Sequence, residues 1–342
     1  KYSYANPSSP NGDPAWFGRP SSDPANYAER SLEYITAVTE ASPTARVFVV
    51  LNQASFAYWG GMDASLEALS PLLTHPAVDA AVIHQYNLDE ARSLNMSTAS
   101  PEFWASSSRI FEENYIAVRE KLSSLPGRGV PLKIAVTEHH IADGFSKGIF
   151  KYGDTIVPAL GIADNTILYL RQGIEYACVH LSINFQGTGE VLFEPWYNPF
   201  DRDDTGALIK KPVYHAVRLM AEHLGRWTVR GEDTRMEIAD KNLTGLSYSY
   251  PVIQWVAMVS EDGKTLSLLF LNRTVDSFIH VRAFAPGPWD RATAITLSSS
   301  SLYSQYKDEP IEPWSIPVQY GEGAVNIVLP PSSLTGVKVA SR

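Results

Sequence analysis

The chain has 342 residues, 44% hydrophobic and 19% charged, and a formal net charge of −9. That length carries two domains, or one large barrel with an appendage, and the composition belongs to a folded chain. The acidic balance and the lack of a basic helix face argue against nucleic acid, no apolar run approaches a membrane span, and a single cysteine excludes an internal disulfide.

The first residues, KYSYANPSSPNGDPAWFGRPSS, are Pro, Ser, Gly and Asn with scattered aromatics, which is loop chemistry. Asp23-Pro24 then supplies a cap and a first-turn proline, and PANYAERSLEYITAVTEA follows with helical period. ARVFVVLN is a short continuous apolar strand, the pattern of burial on both faces in a parallel sheet. DASLEALSPLL reads as a helix, and VDAAVIHQYN as a strand ending on His84 and Tyr86. Ser100-Pro101 opens the long helix PEFWASSSRIFEENYIAVREKLSSL, which Pro126-Gly127 stops. PLKIAVTEHH is the third strand, TIVPALGIADNTILYLRQG a helix, EYACVHLSINF the fourth strand, and KPVYHAVRLMAEHLG a closing helix. Alternating strands and helices with apolar strands predict a parallel sheet with helices outside.

From about Arg226 the character changes to alternating strands and turns, such as SYPVIQWVAMVSEDGKTLSLLFLN, with no further helix. The expected organisation is therefore a barrel-like α/β domain over 1–225 and an antiparallel β-sandwich over 226–342. Cys178, inside YACVHLSINF, reads as a buried, inert thiol. Trp255, Trp289 and Trp314 read as structural residues of the sandwich. Trp16, Trp59, Trp196 and Tyr197 fall in strand-end loops, where an aromatic plane either stacks on a sugar or fills the core.

Polar residues gather where the strands end, the place where α/β folds put their sites. Glu138 closes a buried strand, and a carboxylate there needs either a task or a structural partner. His84 and Tyr86 are two apart and share a strand face. Glu138, His84, His139, His140 and His180 invite a metal reading, but adjacent histidines on a strand point apart, and no HxH or HExxH spacing exists. No GxGxxG, GxxxxGK[ST] or GxSxG pattern occurs in a fitting context, so neither a metal nor a cofactor is expected. Sequons at Asn95, Asn242 and Asn272 point towards a glycosylated protein of the secretory pathway or extracellular space.

The order and spacing of these segments resemble the retaining (β/α)8-barrel glycoside hydrolases, most closely the α-L-arabinofuranosidases with an appended β-sandwich. VIHQY looks like the sixth barrel strand, IAVTEHH the seventh, YACVHLSINFQGTG the eighth, and VLPPSSLTGVKV a closing sandwich strand. The resemblance implies Glu138 as nucleophile of a double displacement and Tyr86 as the residue that orients it. It implies substrate contacts at His84, His139, Asn184, Gln186 and Trp196. The family's acid/base is a Glu after Asn at the end of the fourth strand, and no Asn-Glu dipeptide occurs here. Barrel strands one to four have no counterpart in the chain, so the acid/base and a complementing N-terminal barrel half are expected from the same precursor or a second chain. The alternative is a non-catalytic glycan-binding or structural protein on a glycosidase scaffold.

Overall fold

The computed structural model describes residues 24–51, 62–86, 103–125, 127, 130–141, 153–180, 199–202, 205–234, 236–239 and 249–341. They form two compact units, one drawn from Lys1–His84 and Ile116–Ala135, the other from Gln85–Tyr115 and Val136–Arg342.

The first unit opens with helix α1 (Pro24–Ala41), which has the bounds that Asp23-Pro24 and the helical period predict. It buries Ala28 and Ile35. Strand β1 (Val47–Val50) pairs in parallel with β2 (Val78–Tyr86), and helix α2 (Met62–Leu73) lies between them in sequence, a βαβ unit. Leu66, Leu69, Leu72 and Leu73 of α2 recur at helical spacing and are buried. Tyr27 donates to the Val50 carbonyl at 3.2 Å. Lys121, near the end of α3 (Phe103–Ser123), pairs with Asp63 at 2.9 Å.

Strand β3 (Lys133–His140), helix α4 (Val157–Gln172) and strand β4 (Tyr176–Val179) continue the alternation, and the sheet has the order β1-β2-β3-β4. Helix α4 is apolar nearly all round and almost wholly buried, which fits a helix enclosed on every side. Gly173 ends it in the left-handed conformation at φ 74°, its N–H returning to the Leu170 carbonyl. The hairpin β5 (Phe200–Arg202) and β6 (Leu208–Lys210) leads into helix α5 (Pro212–Glu222).

The remaining strands are antiparallel. They are β7 (Trp227–Val229), β8 (Glu237–Ala239), β9 (Ser249–Pro251), β10 (Ile253–Val259), β11 (Thr265–Asn272), β12 (Ile279–Phe284), β13 (Arg291–Leu297), β14 (Trp314–Ser315), β15 (Val318–Gly321), β16 (Ala324–Leu329) and β17 (Ser333–Ala340). A six-stranded sheet, β14-β13-β17-β11-β10-β7, faces a three-stranded one, β12-β16-β15. The six-stranded sheet is covered on both sides, and strand alternation sorts its residues. Val256, Met258, Leu269, Leu271 and Leu297 join α4 and α5 in one core. Ala257, Leu266, Leu268, Phe270 and Val337 join Val325, Ile327 and Leu329 in the sandwich interior. This double cover explains why β11 is buried along seven consecutive residues.

A buried polar network ties α4 to the sandwich. Arg273 donates to Asp164 Oδ1 at 2.5 Å, to Ser108 Oγ at 2.9 Å and to Gln254 Oε1, while Gln254 Nε2 donates to the Asp164 carbonyl at 3.0 Å. Burial pushes the Asp164 carboxyl up, and the Arg273 guanidinium pulls against it.

Two expectations need correction. Cys178 is exposed, because β4 is an outer strand of its sheet. Asn272 is fully buried, and its Nδ2 donates to the carbonyls of Pro330 at 2.7 Å and Ser277 at 2.9 Å, which leaves no room for a glycan. The other sequons, Asn95 and Asn242, lie outside the described residues. No helix among those described is long and apolar enough to cross a membrane.

Candidate active site

Strand periodicity decides which residues can meet. Gln85 and His139 point towards α4. Tyr169 of α4 donates its hydroxyl to Gln85 Oε1, Gln85 Nε2 donates to Asn165 Oδ1 at 3.1 Å, and the His139 ring meets the Tyr169 ring edge-on at 5.1 Å. Alternation then turns Glu138 and His140 to the opposite face of β3 and His84 to the opposite face of β2 from Gln85.

Glu138 stands at the end of β3 with its side chain 37% exposed, and its Oε2 lies 3.5 Å from Nδ1 of His180. His180 follows β4 directly, and its N–H donates to the His139 carbonyl at 3.0 Å, so the β3–β4 ladder sets the distance between carboxylate and imidazole. Glu138 is therefore a half-exposed carboxylate held at a strand end, able to attack an electrophilic carbon or to accept a proton.

The histidines beside Glu138 are different in kind. Burial drives His139 down to about 4 and His140 down to about 3, with His139, His180 and Lys211 adding to the effect at His140. Both imidazoles are neutral near pH 7 and are packed in the interior. The expectation that His139 contacts substrate does not survive, since the ring is buried against Tyr169 on the helix side.

A second cluster was not legible in the sequence. Lys211, the residue before α5, is almost wholly buried and pairs with Asp154 at 2.8 Å. Its Nζ also lies 5.7 Å from the centre of the Tyr306 ring. Tyr306 donates to Asp201, which Lys307 also approaches at 3.2 Å. Burial and then the Asp201 hydrogen bond push the Tyr306 phenol upwards, so it stays a donor. The only sequence signal was the pair Lys210–Lys211 before PVYHAV, which reads as an ordinary charged turn.

Of the other expected site residues, His84 is part-buried on β2 and Tyr86 is the last residue of that strand. Asn184, Gln186 and Trp196 lie outside the described residues, as do Trp16, Trp59 and Tyr197. Among the described residues, no three His, Cys, Asp or Glu side chains converge to hold a metal ion.

No protein-family model matches the chain, and no curated protein matches it. Solved structures do. The family 51 α-L-arabinofuranosidase AbfB from Bifidobacterium longum matches with a TM-score of 0.72 at 17% identity, over 92% of this chain and 63% of that one. The thermostable family 51 α-L-arabinofuranosidase from Thermotoga petrophila RKU-1 matches with a TM-score of 0.70 at 17% identity, over 92% and 62%. A family 44 xyloglucanase from Paenibacillus polymyxa matches with a TM-score of 0.58 at 12% identity, over 92% and 60%. The chain spans about three fifths of the length of these structures, and the likeness is one of fold. That fold is a partial (β/α)8 barrel followed by a β-sandwich.

Proposed function

We propose that this chain is the nucleophile-bearing part of a retaining glycoside hydrolase acting on α-L-arabinofuranosyl or related glycosides. The observation that carries the reading is Glu138, half-exposed at a strand end beside His180, in a chain whose fold matches arabinofuranosidases. In this mechanism the Glu138 carboxylate attacks the anomeric carbon as the glycosidic bond breaks, and a second carboxyl protonates the leaving oxygen. Water then displaces Glu138 from the glycosyl-enzyme, with the second group as base. In retaining enzymes the two carboxyls stand roughly 5–5.5 Å apart.

The second carboxyl is assigned to a complementing barrel half. Support comes from the sheet itself. Among the described residues, β1 and β4 are its outer strands, Val50 is 41% exposed, and Ala177 and Cys178 are exposed. Open apolar edges are costly, and an eight-stranded barrel abolishes them. A secreted, glycosylated protein fits the sequons at Asn95 and Asn242.

The test uses an aryl arabinofuranoside with a dinitrophenolate leaving group, which departs as a stable anion and needs no acid. Native protein should release about one equivalent in a burst and carry the sugar on Glu138, visible by intact mass and peptide mapping. Azide should speed turnover, because it attacks the glycosyl-enzyme without a base. Glu138→Ala should abolish the burst. A folded native protein with neither burst nor adduct would refute the nucleophile assignment. The second reading, a glycan-binding protein without catalysis, draws on the partner of Glu138 being an imidazole where the mechanism needs a carboxyl. It predicts arabino-oligosaccharide binding with no burst.

A further inference from the structure

In the second unit, α5 and the β13–β14 edge of the sandwich line a half-open cavity of about 370 Å³, to which β1–β4 contribute no lining residue. That is within the roughly 300–1,000 Å³ typical of small-molecule sites. Its wall joins one aromatic plane to charged groups of both signs. Trp314 comes from β14, Lys210 from β6, His215, Arg218 and Glu222 from α5, and Glu312 from the loop before β14.

Trp314 was expected to be structural, yet it is 49% exposed. Its backbone pairs with Thr296 of β13, so the indole is carried by a strand while half of its surface stays outside the core. A rigid aromatic plane of this kind recognises ligands at low entropic cost. The polar groups around it are pre-positioned. Glu222 holds Arg218 at 2.7 Å, and Lys210 lies 5.2 Å over the Tyr214 ring. His215 is buried, which lowers its pKa and leaves the ring one donor and one acceptor. Lys210 and Arg218 are balanced by Glu222 and Glu312, so the wall is close to neutral. A neutral wall gives little to an anion and suits a ligand rich in hydroxyls.

We infer that this cavity is a binding site for a neutral saccharide, with an apolar sugar face on Trp314 and hydroxyls bridging Glu312, Arg218 and His215. The site holds glycan and does not cleave it. It is independent of the chemistry assigned to Glu138, so either assignment can fail without the other.

The test titrates the native protein with arabinotriose and xylotriose by calorimetry and by saturation-transfer NMR. At least one should bind, and Glu138→Gln should bind with unchanged affinity at this site. Trp314→Ala should weaken binding by about tenfold or more, the scale of losing one aromatic anchor. Glu312→Gln, at an exposed position, should weaken it as well and guards against a folding defect in the tryptophan variant. Hydrolysis of a short aryl arabinofuranoside should be unaffected in both variants. Three outcomes would overturn the proposal: no binding of either trisaccharide, binding indifferent to both variants, or binding only of an anionic oligosaccharide that salt abolishes.

Discussion

Replacing Arg273 with Met should be among the most damaging single changes in the second unit. The side chain of Arg273 is 2% exposed and that of Asp164 is 0% exposed, and the guanidinium also holds Ser108 and Gln254. Methionine fills most of the space but leaves a buried carboxylate with no cation. Breaking a buried pair by removing one partner costs about 3–5 kcal/mol, a large share of a total stability of roughly 5–15 kcal/mol. With a slope of about 2–3 kcal/mol per molar urea, the unfolding midpoint should fall by roughly 1–2 M. The loss should also depend on pH. Without Arg273, burial raises the Asp164 pKa further above its unfolded value of about 3.9. A group raised in the folded state contributes stability below its unfolded pKa and loses it as pH rises through the folded pKa. The deficit of Arg273→Met should therefore shrink from pH 7 towards pH 4. The double variant Asp164→Leu, Arg273→Met should regain much of the loss, because it removes the stranded charge. Urea unfolding followed by tryptophan fluorescence at several pH values reads all three effects. A loss below about 1 kcal/mol with no pH dependence would refute the ion-pair reasoning.

Other expectations follow from single contacts. A Cβ on Gly336 would lie 2.5 Å from the His223 ring, whose Nδ1 is 2.7 Å from the Leu219 carbonyl. Gly336→Ala should cost about 1–3 kcal/mol of stability by overpacking, and a midpoint unchanged in urea would contradict it. His139 and His140 are held at about 4 and about 3. Their depressed values mean that stability is fully present above about pH 6.5 and is lost as pH falls towards these values, by up to about 1.4 kcal/mol per histidine per pH unit. His139→Phe should flatten the slope of stability between pH 6.5 and pH 4.5, and an unaltered slope would remove His139 from the account. Cys178 is exposed on β4, so a thiol reagent should modify the native chain stoichiometrically without denaturant. Protection of that thiol in a complex with a barrel half would place the closing strands beside β4, and unchanged reactivity there would argue against that closure.

Much of the fold was legible because local rules sufficed. Asp23-Pro24 and helical spacing delimit α1, the αL glycine at 173 closes α4, and Glu261-Asp262-Gly263-Lys264 turns β10 into β11. Glu138 could be singled out because a carboxylate ending an apolar run is chemically conspicuous. The helix α4 also held a readable sign, since Asp164 and Asn165 interrupt a segment apolar nearly all round. Their partners were not readable. Arg273 lies 109 residues away from Asp164 and Gln85 lies 80 from Asn165.

The sequence by itself determined the kinds of element, their order and the strand face that each residue takes, because backbone periodicity and turn chemistry are local. Only the tertiary structure decided which faces are covered. Identical apolar character buries β11 between two layers and leaves Cys178 exposed on an outer strand. The tertiary structure packs His139 against Tyr169 of α4, buries the Asn272 sequon and lays Trp314 open beside a cavity. Burial depends on neighbours brought together from distant parts of the chain, and no local pattern encodes which neighbours arrive.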